Sequence, residues 1–238
     1  HTACRRQRQM CIRDSFIMNL SNDTIAILKN FANINQNILV KPGEKLNTIS
    51  TMKNILATAS IKETFEQEFA IYDLPEFLRT LDLFETPTLK FNGGTSVGIS
   101  GKDGKSSSKY TFADKSVIVA PTKTITMPDT EIAFKLTKDN LSKLMKGVVT
   151  LNLPDIEVIG NGSTISLVAN DRKNKASNKF SIDIGTTDKN FKAYFKAENF
   201  KMIEDDYDVV VSKQKISHFV ARQKPVQYWI ALEPESEF

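Results

Sequence analysis

Cysteine and histidine are nearly absent: the 238 residues hold two of each. Cys4, Cys11 and His1 all fall within the first 17 residues, HTACRRQRQMCIRDSFI. That segment has no initiator Met and no apolar stretch of the kind that forms a secretory signal. Its QMCIRDS string resembles translated sequencing-adapter sequence, so residues 1–17 are expected to be non-native, with Met18 as the true start. Residues 18–238 then carry no cysteine and one histidine, His218. This excludes structural disulfides, a thiol nucleophile and Cys/His zinc sites, and any histidine-based triad would depend on His218. His218 sits in KISHFVA, which reads as a strand. No EF-hand spacing occurs, and no metal or cofactor is expected. No run of about 18 apolar residues exists, so no membrane span is expected.

Charge of one sign is also lacking. From residue 18 onward there are 28 basic and 27 acidic residues, a net of +1 against +4 for all 238 residues. Hydrophobic residues make up 40% and charged residues 25%, enough to bury a sizeable core.

Four segments carry helical spacing. SNDTIAILKNFANI (21–34) opens with Ser21 and Asp23 and sets Ile25, Leu28, Phe31 and Ala32 on one face. DLPEFLRTLDLF (73–84) has Asp73 as a cap, Pro75 in the first turn, and Leu74, Phe77, Leu78 and Leu81 as its stripe. TKDNLSKLMKGVV (137–149) turns Leu141, Leu144, Met145 and Val148 inward, and KAENFKMI (196–203) is a short fourth helix. The first and third segments align without gaps through Ser21/Thr137, Asp23/Asp139, Ile25/Leu141 and Leu28/Leu144. The second and fourth align more weakly, through Phe77/Phe200 among others, so the chain reads as an internal duplication.

Between these helices lie alternating, β-branched stretches such as NILATASI (54–61), TLKFN (88–92), EIAFKL (131–136), STISLVAN (163–170) and VQYWIAL (226–232). Each half therefore reads helix, strands, helix, strands. APTKTITMPDT (120–130) reads as an extended connector. The expected architecture is α+β: two similar domains, 18–121 and 131–238, joined by a connector at 122–130, each with two short helices on antiparallel sheets.

Away from their apolar stripes the helices are polar and mildly basic. Lys143 and Lys146 lie opposite the third stripe and Arg79 opposite the second, Lys29 is on the flank of the first, and Lys196 and Lys201 flank the fourth. Catalytic signatures fail. NGGTSVGISGKDGKSSSKY (92–110) is not a P-loop, because Ile99 stands where the motif needs glycine; it reads as a mobile hairpin loop. Asp205–Asp206 and Asp82/Glu85 are carboxylate pairs with turn or helix-end readings. No enzymatic activity is expected.

LSNDTIAILKNFANIN (20–35), AIYDLPEFL (70–78), SVIVAP (116–121) and YWIALEPE (228–235) resemble, in order, the sliding clamp of T-even-type bacteriophages, the DNA polymerase accessory and processivity factor. The resemblance implies a DNA-clamp fold, in which three subunits form a head-to-tail homotrimeric ring with sheets outside and helices lining a hole for double-stranded DNA. It implies that Lys29, Arg79, Lys143, Lys146, Lys196 and Lys201 face DNA. It implies a partner-peptide groove at Val117, Ile118, Val119 and Pro121 with Tyr228, Ile230 and Leu232. Its partners would be the viral replicative DNA polymerase and a clamp-loader complex, with a further role in late viral transcription, in the cytoplasm of the infected host. A strand-rich phage structural protein, from the virion or baseplate, is the alternative, and a carboxylate-metal hydrolase is a more remote one.

Overall fold

A computed structural model describes residues 16–102, 104–123 and 125–238. Residues 1–15 of the segment read as non-native lie outside the described residues. Its last two residues do not: Phe16 and Ile17 open strand β1 (Phe16–Asn19), and the Phe16 ring stacks on Phe91 at 4.5 Å. The boundary drawn at Met18 thus falls inside a strand.

Helix α1 (Asn22–Ile34) starts where the Ser21 hydroxyl accepts from the Thr24 N–H at 3.3 Å. Its inward face is Ile27, Leu28, Phe31 and Ile34, all buried, each contributing roughly 1.5–3 kcal/mol by leaving water. Ile25 and Ala32, expected on that face, lie at its half-buried margin. The chain continues through β2 (Ile38–Val40), β3 (Gly43–Ile49), β4 (Ile55–Phe65) and β5 (Phe69–Ile71). Helix α2 (Leu74–Asp82) is capped by Asp73, whose carboxylate accepts from the Glu76 N–H at 2.7 Å. Strands β6 (Thr88–Phe91), β7 (Ser96–Ser100) and β8 (Ser107–Thr111) complete the first half.

Residues 92–110, expected as a mobile hairpin loop, instead form the paired strands β7 and β8 around a short turn. Val97 and Ile99 are fully buried between outward Ser and Gly positions, a period of two that the Gly/Ser composition conceals.

The second half runs β9 (Ile132–Leu136), α3 (Lys138–Leu151), β10 (Asp155–Asn161), β11 (Thr164–Asn170), β12 (Phe180–Thr186), β13 (Asn190–Lys196), β14 (Tyr207–Val211), β15 (Ile216–Ala221) and β16 (Val226–Ala231). Thr137 caps α3 through the Asn140 N–H at 3.2 Å, in the place Ser21 holds on α1. Gly147 lets α3 press onto β12: a Cβ there would lie 2.6 Å from Cδ1 of Phe180.

The fourth expected helix is not formed. Lys196 ends β13, a single 3₁₀ turn covers Ala197–Asn199, and irregular chain follows. Asp73 caps α2, but the matching position here is Lys196, a side chain with no acceptor, and the turn has no side-chain cap. Phe200 is instead drawn inward, edge-on to Phe195 at 5.4 Å and to Phe219 at 5.9 Å.

All strand pairs are antiparallel. One sheet has the order β1-β6-β7-β8, a second β12-β11-β10-β13, and β2 pairs with β5. The largest, β3-β4-β16-β15-β14-β9, crosses between the halves: β4 of the first pairs with β16 of the second, Ala57 opposite Tyr228 and Leu56 opposite Trp229.

Candidate nucleic-acid interface

The helices and residues 200–204 touch in series. Lys29 on α1 meets Asp82 on α2 at 3.3 Å. Asn30 on α1 donates to the carbonyl of Lys201 at 3.0 Å. Lys138 on α3 meets Glu204 at 3.2 Å. Phe200 and Met202 share an apolar groove of about 450 Å³ with Leu141 and Met145 of α3. The result is a continuous layer, α2–α1–(200–204)–α3, laid over the sheets of both halves.

The expected cations divide. Arg79, Lys143, Lys146 and Lys201 are exposed on this layer and form no ion pair among the described residues. Lys29 is exposed but shared with Asp82, the two side chains being 52% and 58% accessible, so its charge is largely offset locally. Lys196 is a correction. It lies in a strand, not on a helix, and its Nζ is held 2.6 Å from Oδ1 of the buried Asp155. Burial works to raise the Asp155 pKa, but the Lys196 hydrogen bond and the Arg172 N–H outweigh it and hold the carboxyl below its usual range. The same hydrogen bond raises Lys196 above the usual lysine range. Lys196 is a structural charge.

The expected groove residues divide as well. Val117 is 52% exposed, and Ile118, Val119 and Pro121 are half-buried. Tyr228 and Ile230 are fully buried and Leu232 nearly so, because they face the core from β16 and the chain just beyond it. They cannot wall a surface groove in this conformation. Asn35 and Asn37, which the sequence reading passed over, latch this segment: Asn35 Nδ2 donates to the Val119 carbonyl at 3.3 Å and Asn37 Oδ1 accepts from its N–H at 3.1 Å. A pair of side-chain amides just beyond a helix is the signal that marks them.

Among the described residues no catalytic grouping emerges. His218 lies in β15, stacked 4.5 Å from Trp229, with Nε2 2.8 Å from Oε1 of Gln227, and burial lowers its pKa. Asp205 is buried and accepts from the N–H groups of Gln223 and Lys224, while Asp206 accepts from that of Lys138. Both carboxylates are spent on the backbone. Among the described residues no group of three His, Cys, Asp or Glu side chains could hold a metal ion, and no helix is long and apolar enough to cross a membrane.

Comparison with known proteins gives this strand-rich fold with its thinly cationic helical layer a family. Residues 21–120 match the family model for DNA polymerase processivity factor, and residues 133–234 that for the gp45 sliding clamp, C terminal. The chain is 33% identical over 223 residues to the sliding clamp of Vibrio phage KVP40, covering 91% of this chain and 99% of the relative. It is 29% identical to the sliding clamp of Enterobacteria phage T4, covering 92% and 98%. The fold is similar to that of Proliferating Cellular Nuclear Antigen from Entamoeba histolytica, with a TM-score of 0.67 at 12% identity, covering 92% and 98%. The chain belongs to the phage sliding-clamp family of DNA polymerase processivity factors.

Proposed function

We propose that this chain assembles as a homotrimeric ring around duplex DNA and tethers the viral replicative polymerase, a clamp-loader complex placing it on the template. The observation that carries this reading is the match to phage sliding clamps over 91% and 92% of this chain, together with a helical layer that exposes few free cations. A sliding protein gains nothing from many phosphate contacts, because each adds affinity and salt dependence. Enclosure supplies retention, and Arg79, Lys143, Lys146 and Lys201 steer and centre the duplex. Base contacts have no role in such a device. The polymerase docks through the segment just before the connector, Val117 to Pro121. Late viral transcription would use the same ring, and the work is done in the cytoplasm of the infected bacterium. The chain acts by tethering and performs no chemistry.

Native mass measurement tests the assembly, and primer extension on circular single-stranded template with polymerase and loader tests the tether. A trimer that lengthens extension products is expected. A strict monomer at high concentration, or products of unchanged length, rejects the reading.

A further inference from the structure

Residues 201–203 are irregular, yet three of their backbone groups are held by side chains from three other elements. Asn30 Nδ2 on α1 donates to the carbonyl of Lys201 at 3.0 Å. The N–H of Ile203 donates to the Tyr228 hydroxyl at 3.1 Å, and the Tyr207 hydroxyl donates to the Ile203 carbonyl. Tyr228 sends its own hydrogen to Oδ1 of Asn30 at 2.8 Å. Asn30 therefore uses both ends of its amide, one on the segment and one on the tyrosine that also holds it. Tyr207 and Tyr228 are fully buried, so this frame is fixed to the core, while the Lys201 side chain is exposed.

We propose that Asn30 and Tyr228 are positioning residues for Lys201: the first half of the chain reaches across to set where the second half presents this cation to the duplex. This rests on the clamp reading above. A lysine ammonium on a four-carbon stem is only as well placed as its Cα. Here no helix fixes that Cα. The Lys201 carbonyl is bonded to Asn30, and the next anchor is the Ile203 N–H on Tyr228. Without Asn30 the carbonyl turns to water, and the ammonium loses its definition relative to Lys143 and Lys146 on α3. Tyr228 stays a neutral donor throughout, since burial pushes its phenol up to about 12.

The test follows loaded full-length clamps along stretched duplex by single-molecule tracking between about 50 and 200 mM salt. Lys201→Ala is expected to raise the diffusion coefficient about twofold and to flatten its salt dependence by about one phosphate contact. Asn30→Ala removes the donor to Lys201 and the acceptor of Tyr228 without adding a charge to the layer. It should reproduce the Lys201→Ala change, and the double variant should add nothing further. Tyr228→Phe, which keeps the ring in the core, should give the same change at least in part. A merely structural role would lower the melting temperature and leave sliding as in the parent, so sliding unchanged in Asn30→Ala and Tyr228→Phe, beside an altered Lys201→Ala, overturns the proposal. An unaltered Lys201→Ala overturns it too, with the clamp reading intact if Lys143→Ala still changes sliding. If parent rings do not load at all, the clamp reading itself fails.

Discussion

Nζ of Lys196 lies 2.6 Å from Oδ1 of Asp155, a carboxylate whose side chain is 2% accessible. The same carboxylate accepts from the Arg172 N–H at 3.1 Å, and the Arg172 guanidinium stacks 4.4 Å from the Tyr194 ring centre. Arg172 Nε also lies 3.8 Å from that Oδ1, so two cations converge on one buried acid.

Replacing that acid should be costly. Asp155→Asn leaves Lys196 and Arg172 with the longer contacts to Glu233, at 3.9 and 3.7 Å, and a loss of about 1.5–3 kcal/mol is expected at pH 7, read by urea denaturation. The folded-state pKa of Asp155 lies below its ordinary value. Its stabilisation is therefore present at neutral pH and is lost as pH falls from about 4 through the folded value. The gap between parent and variant should close over that acid range. Lys196 has the opposite sign: its raised pKa keeps its contribution intact at pH 7 and surrenders it only as pH rises past the ordinary lysine range.

Gly147→Ala should destabilise by about 1–3 kcal/mol, because the added methyl collides with the root of Phe180 and not with a mobile tip. Combining it with Phe180→Ala, which removes the Cγ and Cδ1 atoms that the methyl meets, should recover part of the loss in thermal melts.

Lys143→Glu with Lys146→Glu should shorten extension products in a loaded polymerase assay while the melting temperature stays within a few degrees of the parent. Both side chains are exposed and make no ion pair among the described residues, so the fold has little stake in them.

Asp82→Asn separates the two meanings of the Lys29 contact. The pair is solvent-exposed, so stability should change by less than about 1 kcal/mol. If Lys29 faces the duplex, freeing it should slow sliding and steepen its salt dependence.

Helices were legible where a cap and a stripe coincide. Ser21, Asp73 and Thr137 each accept the N–H expected of a cap, and α1, α2 and α3 follow. The 196–203 segment has a stripe but no cap, and side chains from α1, β14 and β16 claim its backbone, a competition that no local pattern reveals. The strand β7 was concealed by its glycine and serine. Among the site residues, exposure of Arg79, Lys143 and Lys146 follows from 100° spacing alone. The fate of Lys196 does not, because its partner Asp155 is 41 positions away. Tyr228, Ile230 and Leu232 were misplaced for a similar reason: a hydrophobic strand says that it packs, but not that it is the middle strand of a six-stranded sheet.

The pairing of β4 with β16 ties an early strand to the last one in the chain. A nascent polypeptide still missing its final strand would present an unzipped Ile55–Ala59 edge to the surrounding medium. The two halves therefore cannot be finished one after the other: the first keeps an open β4 edge until β16 arrives to close it.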